Sequence, residues 1–125
     1  MATSSNLDAA AEFLTMCASG KVREAYERYV SASFKHHNPH FPSDRNSLLE
    51  AMEKSAIEEP NKSFQIMQAV ASEDTVAVFS RLRRAHVDLD YAVVHILKFD
   101  AGKIIEMWDI GQEVPKDSPN EIGMF

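Results

Sequence analysis

The sequence predicts an α+β fold: a curved antiparallel sheet with three N-terminal helices that close it into a cone. Three observations carry this. Apolar side chains recur at helical spacing over roughly the first half of the chain, then the period moves toward two from Ser63 onward as β-branched and aromatic residues become frequent. The helices also precede the strands in one block instead of alternating with them, which is the order of an α+β chain. Helices on one face of a curved sheet leave a conical pocket between the layers. A length of 125 residues suits a single domain over 1–125 with one core.

Helix one is expected from Asn6 to Ala18, with Leu7, Ala10, Ala11, Leu14, Cys17 and Ala18 on its apolar stripe, Ser5 or Asn6 as N-cap and Gly20 as its stop. KVREAYERYV repeats the pattern at Val22, Ala25, Tyr26, Tyr29 and Val30, giving helix two after a very short turn. FKHHNPHFPSD, from Phe34 to Asp44, has two prolines and no period, so it reads as a loop or short extended piece. Ser43 or Asp44 can cap helix three, whose face is Leu48, Leu49, Met52 and Ala56 and which Pro60 ends. Four strands follow: SFQIMQAVAS, TVAVFSRLRRAH, YAVVHILKFD and KIIEMWDIGQ, with turns at Asp74, at Asp88 to Asp90 and at Asp100 to Gly102. The tail VPKDSPNEIGMF reads as irregular structure suited to covering a pocket mouth or a neighbouring subunit.

Composition narrows the partners. A formal charge of -6 repels phosphate backbones, and Arg81, Arg83 and Arg84 lie on a strand whose alternate residues face opposite ways, so no basic stripe forms and nucleic acid is not expected. The single cysteine, Cys17, cannot make an internal disulfide and suits a reducing, cytoplasmic compartment. MATSSNLDAAAEF has neither the basic leader nor the apolar run of a signal peptide, so neither export nor a membrane is expected. Four glycines scattered at 20, 102, 111 and 123 write no phosphate loop and no dinucleotide fingerprint, so no cofactor is implied.

Asp109 lies on the last strand beside Met107 and Ile105, where alternation puts Ile105, Met107, Asp109 and Gly111 on one face and Ile104, Glu106, Trp108 and Ile110 on the other. A carboxylate in such company must find a partner or take up a proton. On the preceding strand Tyr91, Val93, His95, Leu97 and Phe99 share a face. With a two-residue loop at Ala101 and Gly102, His95 faces Trp108; a one-residue bulge would set it opposite Asp109. Asp109 and His95 are therefore the candidate catalytic pair, with His37, Asn38, Trp108, Met107 and Tyr91 as candidate substrate contacts. Each has a structural alternative: a core histidine, an ion pair at a strand end, plain packing for Trp108, and for HHNPH an Asn-Pro turn. Neither HExxH nor paired CxxC occurs, so no metal site is assigned to His36, His37 and His40.

Three stretches, YVSASFKHHNPHF, AVVHILKFDAGKIIEMWDIGQ and PNEIGMF, resemble the SnoaL-like polyketide cyclases of the nuclear transport factor 2-like superfamily. The resemblance spans nearly the whole chain and implies the cystatin-like cone, one apolar cavity for a small apolar molecule, and a homodimer formed through the sheet's outer face. It implies that Asp109 is the general acid and base of an aldol ring closure or isomerisation without metal or cofactor, that His95 lines the same pocket, and that His37, Asn38 and Pro39 form the family's loop. Met107 stands where relatives often carry a histidine, which departs from a strict cyclase pattern. The alternative is a non-catalytic module that binds a small hydrophobic ligand or a second copy.

Overall fold

The computed structural model describes residues 2–125, with side chains from Asn6 onward. Its elements are α1 (Ala2–Ala18), α2 (Val22–Tyr29), β1 (Val30–His36), α3 (Arg45–Glu58), β2 (Ser63–Ser72), β3 (Thr75–Arg84), a short 3-10 turn (Ala85–Val87), β4 (Leu89–Asp100) and β5 (Lys103–Glu113). The sheet order is β1-β5-β4-β3-β2; β2 to β5 pair antiparallel, and β1 joins the edge of β5 in parallel. The α+β expectation therefore holds, with a parallel edge added.

Two helix boundaries differ from the sequence reading. α1 begins at Ala2, so neither Ser5 nor Asn6 is its N-cap; no Gly or Pro interrupts the upstream residues, and each one added extends the hydrogen-bond ladder. Val30 ends no helix but opens β1, a fifth strand where a loop or extended piece was expected. Pro39 and the three histidines hide this strand from a pattern search, because its hydrogen-bonding partner β5 lies some 70 positions away: the His37 N–H donates to the Met107 carbonyl at 2.9 Å. Asp44 caps α3 as expected, its carboxylate accepting from the Ser47 N–H at 2.9 Å.

α1 packs on β2, β3 and α2, burying Phe13, Tyr26, Leu48, Val76, Val78, Leu97 and Ile104 to 2% exposure or less. Truncating a side chain such as Leu97 to Ala would cost about 2–5 kcal/mol. Cys17 belongs to this core, where burial pushes its thiol pKa up to about 12. It stays protonated and is no nucleophile.

The β4–β5 hairpin sets the register of the site. Ala101 and Gly102 form its two-residue loop with φ of +50° and +79°, so Asp100 faces Lys103 as predicted. Between Lys98–Glu106 and Phe99–Ile104 one extra residue, Ile105, enters β5 as a bulge. The bulge turns Ile104 into the core instead of outward, a correction to strict alternation, and it sets His95 directly opposite Asp109.

Candidate active site

His95 and Asp109 stand side by side on the inner face of β4 and β5. The His95 Nε2 lies 3.4 Å from the Asp109 Oδ1, with side chains 13% and 24% exposed. Burial lowers the His95 pKa below its ordinary value, and the Asp109 charge opposes this only in part. The imidazole is therefore neutral near pH 7. Its Nδ1 is buried without a partner. An unpaired lone pair there is cheaper than an unpaired N–H, so the hydrogen sits on Nε2 and points toward Asp109.

The HNP loop supplies the second hold on Asp109. The His40 backbone N–H donates to the Asn38 Oδ1 at 3.0 Å, which leaves the Asn38 amide nitrogen free to donate to the Asp109 Oδ2 at 2.8 Å. Those two bonds fix which way the amide points. They demand asparagine: an aspartate at 38 would have no hydrogen to offer and would repel Asp109. His36 anchors the loop from inside, its Nδ1 accepting from the Asn38 N–H and its Nε2 donating to the Pro42 carbonyl at 2.7 Å.

The pair opens onto a cavity of about 310 Å³ between the sheet and the helices, lined chiefly by apolar side chains including Leu14, Met52, Phe64, Leu82 and Val93, with Tyr91, His95 and Asp109 among the polar ones. A neighbouring concavity, lined by His37, Asn38, Pro39, His40 and Ile110, shares Tyr91, Asp109 and Gly111 with it. Asp109 thus sits where the loop meets the cavity.

The other sequence-predicted contacts lie elsewhere. Trp108 is on the outer face of the sheet, where His37 stacks on it at 4.9 Å and donates to the Glu106 carboxylate at 2.7 Å. Met107 is a core residue, 3% exposed, and lines neither concavity. The three histidines of HHNPH diverge, His36 inward, His37 outward and His40 into solvent; among the described residues no group of three metal-ligating side chains gathers.

Three polar cavity residues escape sequence reasoning: Ser55, Lys62 and Arg84. Alternation through RLRR carries a signal for one of them. Arg81 and Arg83 both reach Asp90 on one side, while Arg84 turns to the other and grips Glu59 at 2.6 and 2.8 Å. Lys62, just before β2, carries no such mark.

No protein-family model matches the chain, and no curated protein matches it by sequence. Solved structures match in fold. A candidate ketosteroid isomerase from Kribbella flavida is 16% identical, with 94% of this chain and 85% of that chain covered and a TM-score of 0.73. IdmH, a candidate polyketide cyclase from Streptomyces antibioticus, is 16% identical over 86% of this chain and 91% of its own, with a TM-score of 0.73. A cystatin-fold protein from Novosphingobium aromaticivorans is 16% identical over 84% and 97%, with a TM-score of 0.72. The chain thus shares the cystatin-like fold that the sequence predicts. No helix among the described residues is long and apolar enough to cross a membrane.

Proposed function

We propose that the chain is a SnoaL-like enzyme of cofactor-independent acid–base chemistry, isomerising or ring-closing a small apolar carbonyl compound. One observation carries the reading: Asp109 stands on the wall of a mostly apolar cavity, one oxygen held by the Asn38 amide and the other facing a buried, neutral imidazole. The Asp109 Oδ1 takes a proton from the carbon alpha to the carbonyl, and the C–H electron pair moves through to the oxygen as an enolate. The His95 Nε2–H donates to that oxygen. Returning the proton from Asp109 at another carbon completes an isomerisation. Attack of the enolate carbon on a second carbonyl, with the proton passing to the new alkoxide, completes an aldol closure. The descriptions of two fold neighbours, candidate ketosteroid isomerase and candidate polyketide cyclase, name the same class of chemistry.

The test is solvent deuterium incorporation into a small ketone such as cyclohexanone, followed by NMR with the pure protein in D2O. Exchange that requires Asp109 supports the reading; exchange no faster than buffer across a panel of apolar ketones overturns it. A second reading, ligand binding without turnover, is favoured by the apolar lining, and a retained ligand that never exchanges would select it. The lone Cys17 fits a reducing cytoplasm for either.

The partner in this proposal is a second copy of the chain, docked through the outer sheet face. Val70, Ala77, Ile96 and Trp108 form one cross-strand row there, and Phe79, Val94 and Ile110 the next. Val70 and Ile110 are 65% and 60% exposed, and the tail covers the patch only where Phe125 stacks on Phe79 at 5.9 Å. Sedimentation should give a dimer that Val70→Asp with Ile110→Asp converts to a folded monomer; a wild-type monomer at micromolar concentration refutes it.

A further inference from the structure

The cavity's cation is unused by the chemistry above. Lys62 lines the cavity, and among the described residues it makes no ion pair; its ammonium donates only to the Ser55 hydroxyl, at 2.5 Å, and so keeps two hydrogens to give. Arg84 lines the same end, but its guanidinium is already spent on Glu59 and reaches the Tyr91 hydroxyl at 3.4 Å. Burial lowers the Lys62 pKa, with Glu59 opposing and Arg84 adding to the effect. A positive charge partly buried among apolar side chains, with the nearby Glu59 already committed to Arg84, is costly, and a carboxylate placed beside it relieves that cost.

The sheet register separates this end from the acid–base pair. Phe64, Leu82 and Tyr91 form one cross-strand row, and Lys62 lies beyond it, whereas His95 pairs with Asp109 four residues further along β4. At about 3.3 Å per residue the two rows are about 13 Å apart, so the Lys62 end and the acid–base pair lie at opposite ends of the cavity.

We infer that Lys62 receives a carboxylate of the ligand, so that the compound taken up is an apolar oxo acid with its ketone and its carboxylate at opposite ends. Leu14, Phe64, Leu82 and Val93 enclose the apolar body between the two ends. This rests on the cavity being the ligand site proposed above. It adds the chemical class of that ligand and the direction in which it enters.

The probe is para-acetylphenylpropanoate, an oxo acid with its ketone and its carboxylate at opposite ends, against its methyl ester, with affinities by calorimetry on the full chain. The acid should bind at least about tenfold more tightly than the ester, a charge-assisted hydrogen bond's worth. Lys62→Met should abolish that preference while leaving the ester's affinity alone, and Lys62→Arg should keep it; thermal unfolding of each variant checks that it is folded. Equal binding of acid and ester by the wild type, a preference that survives in Lys62→Met, or binding of neither compound overturns the inference. Deuterium uptake at the acetyl methyl group, read in the same samples, separates the two proposals. Exchange without an acid preference retains the enzyme reading and sinks this one; an acid preference lost in Lys62→Met, without exchange, does the reverse.

Discussion

His95 with Asp109 on the inner face of the sheet and His37 with Glu106 on the outer face are built from the same two functional groups, both set on β5 against an imidazole. The outer pair is the shorter, 2.7 Å against 3.4 Å, yet His37 is 46% exposed where His95 is 13% exposed. In water a short ion pair is screened and competes with solvent, so its geometry has little consequence. At the cavity wall burial holds the imidazole neutral, and its Nε2–H and the Asn38 amide each meet one Asp109 oxygen. On the reading proposed above, the surroundings of the pair and not its hydrogen-bond length set what it can do.

The strongest way to break this contrast is to neutralise each carboxylate in turn. Asp109→Asn should lower ketone exchange by about 10²–10⁴-fold, the span of a lost general base, while Glu106→Gln should leave it unchanged. Equal losses in the two variants would mean that position on β5, and not the buried imidazole beside the carboxylate, sets the activity. Next in size are the loop residues. Asn38→Ala frees the Asp109 Oδ2 and should cost roughly ten- to a hundredfold in exchange through misplacement, whereas His37→Ala removes an outer-face stack and should cost nothing measurable by the same NMR assay.

Smaller effects appear in stability against pH. Burial holds the His95 pKa below its ordinary 6.5, so the unfolded chain binds a proton that the folded chain refuses. Stability is then full above about 6.5 and declines as pH falls below it, and thermal unfolding should show His95→Phe flattening that decline. Glu106 has the same sign in a more acid window: the His37 hydrogen bond, then Lys35, hold its carboxyl below the ordinary 4.5. Its contribution is present above that pH and lost as pH falls through the shifted value. Glu106→Gln should therefore lower stability above about pH 4.5 and lose that deficit as pH falls below it, and a deficit that persisted in acid would contradict the assignment.

Most elements were legible because their signals are local. β2 runs from Ser63 to Ser72 as its alternation predicts, Asp44 caps α3, and the Ala101–Gly102 loop follows from a hairpin signal of two residues. β1 was not, since a strand that pairs in parallel with a partner some 70 residues away leaves no hairpin in the sequence. The cavity divides in the same way. Asp109, His95, Tyr91 and Asn38 announce themselves as polar groups among apolar neighbours, but Lys62 resembles any surface lysine until α3 and β2 close around it.

The sequence by itself determined the three helices, the four-strand antiparallel meander and the identity of the acid–base candidates, because periodicity, caps and turn residues act over a few neighbours; it missed β1 between α2 and α3. The tertiary structure alone decided that Ile105 bulges and so turns His95 onto Asp109, that the HNP loop crosses to donate to the same carboxylate, and that Trp108 and His37 face outward. A one-residue change of register reverses every side chain beyond it, and only packing against the helices selects among the registers.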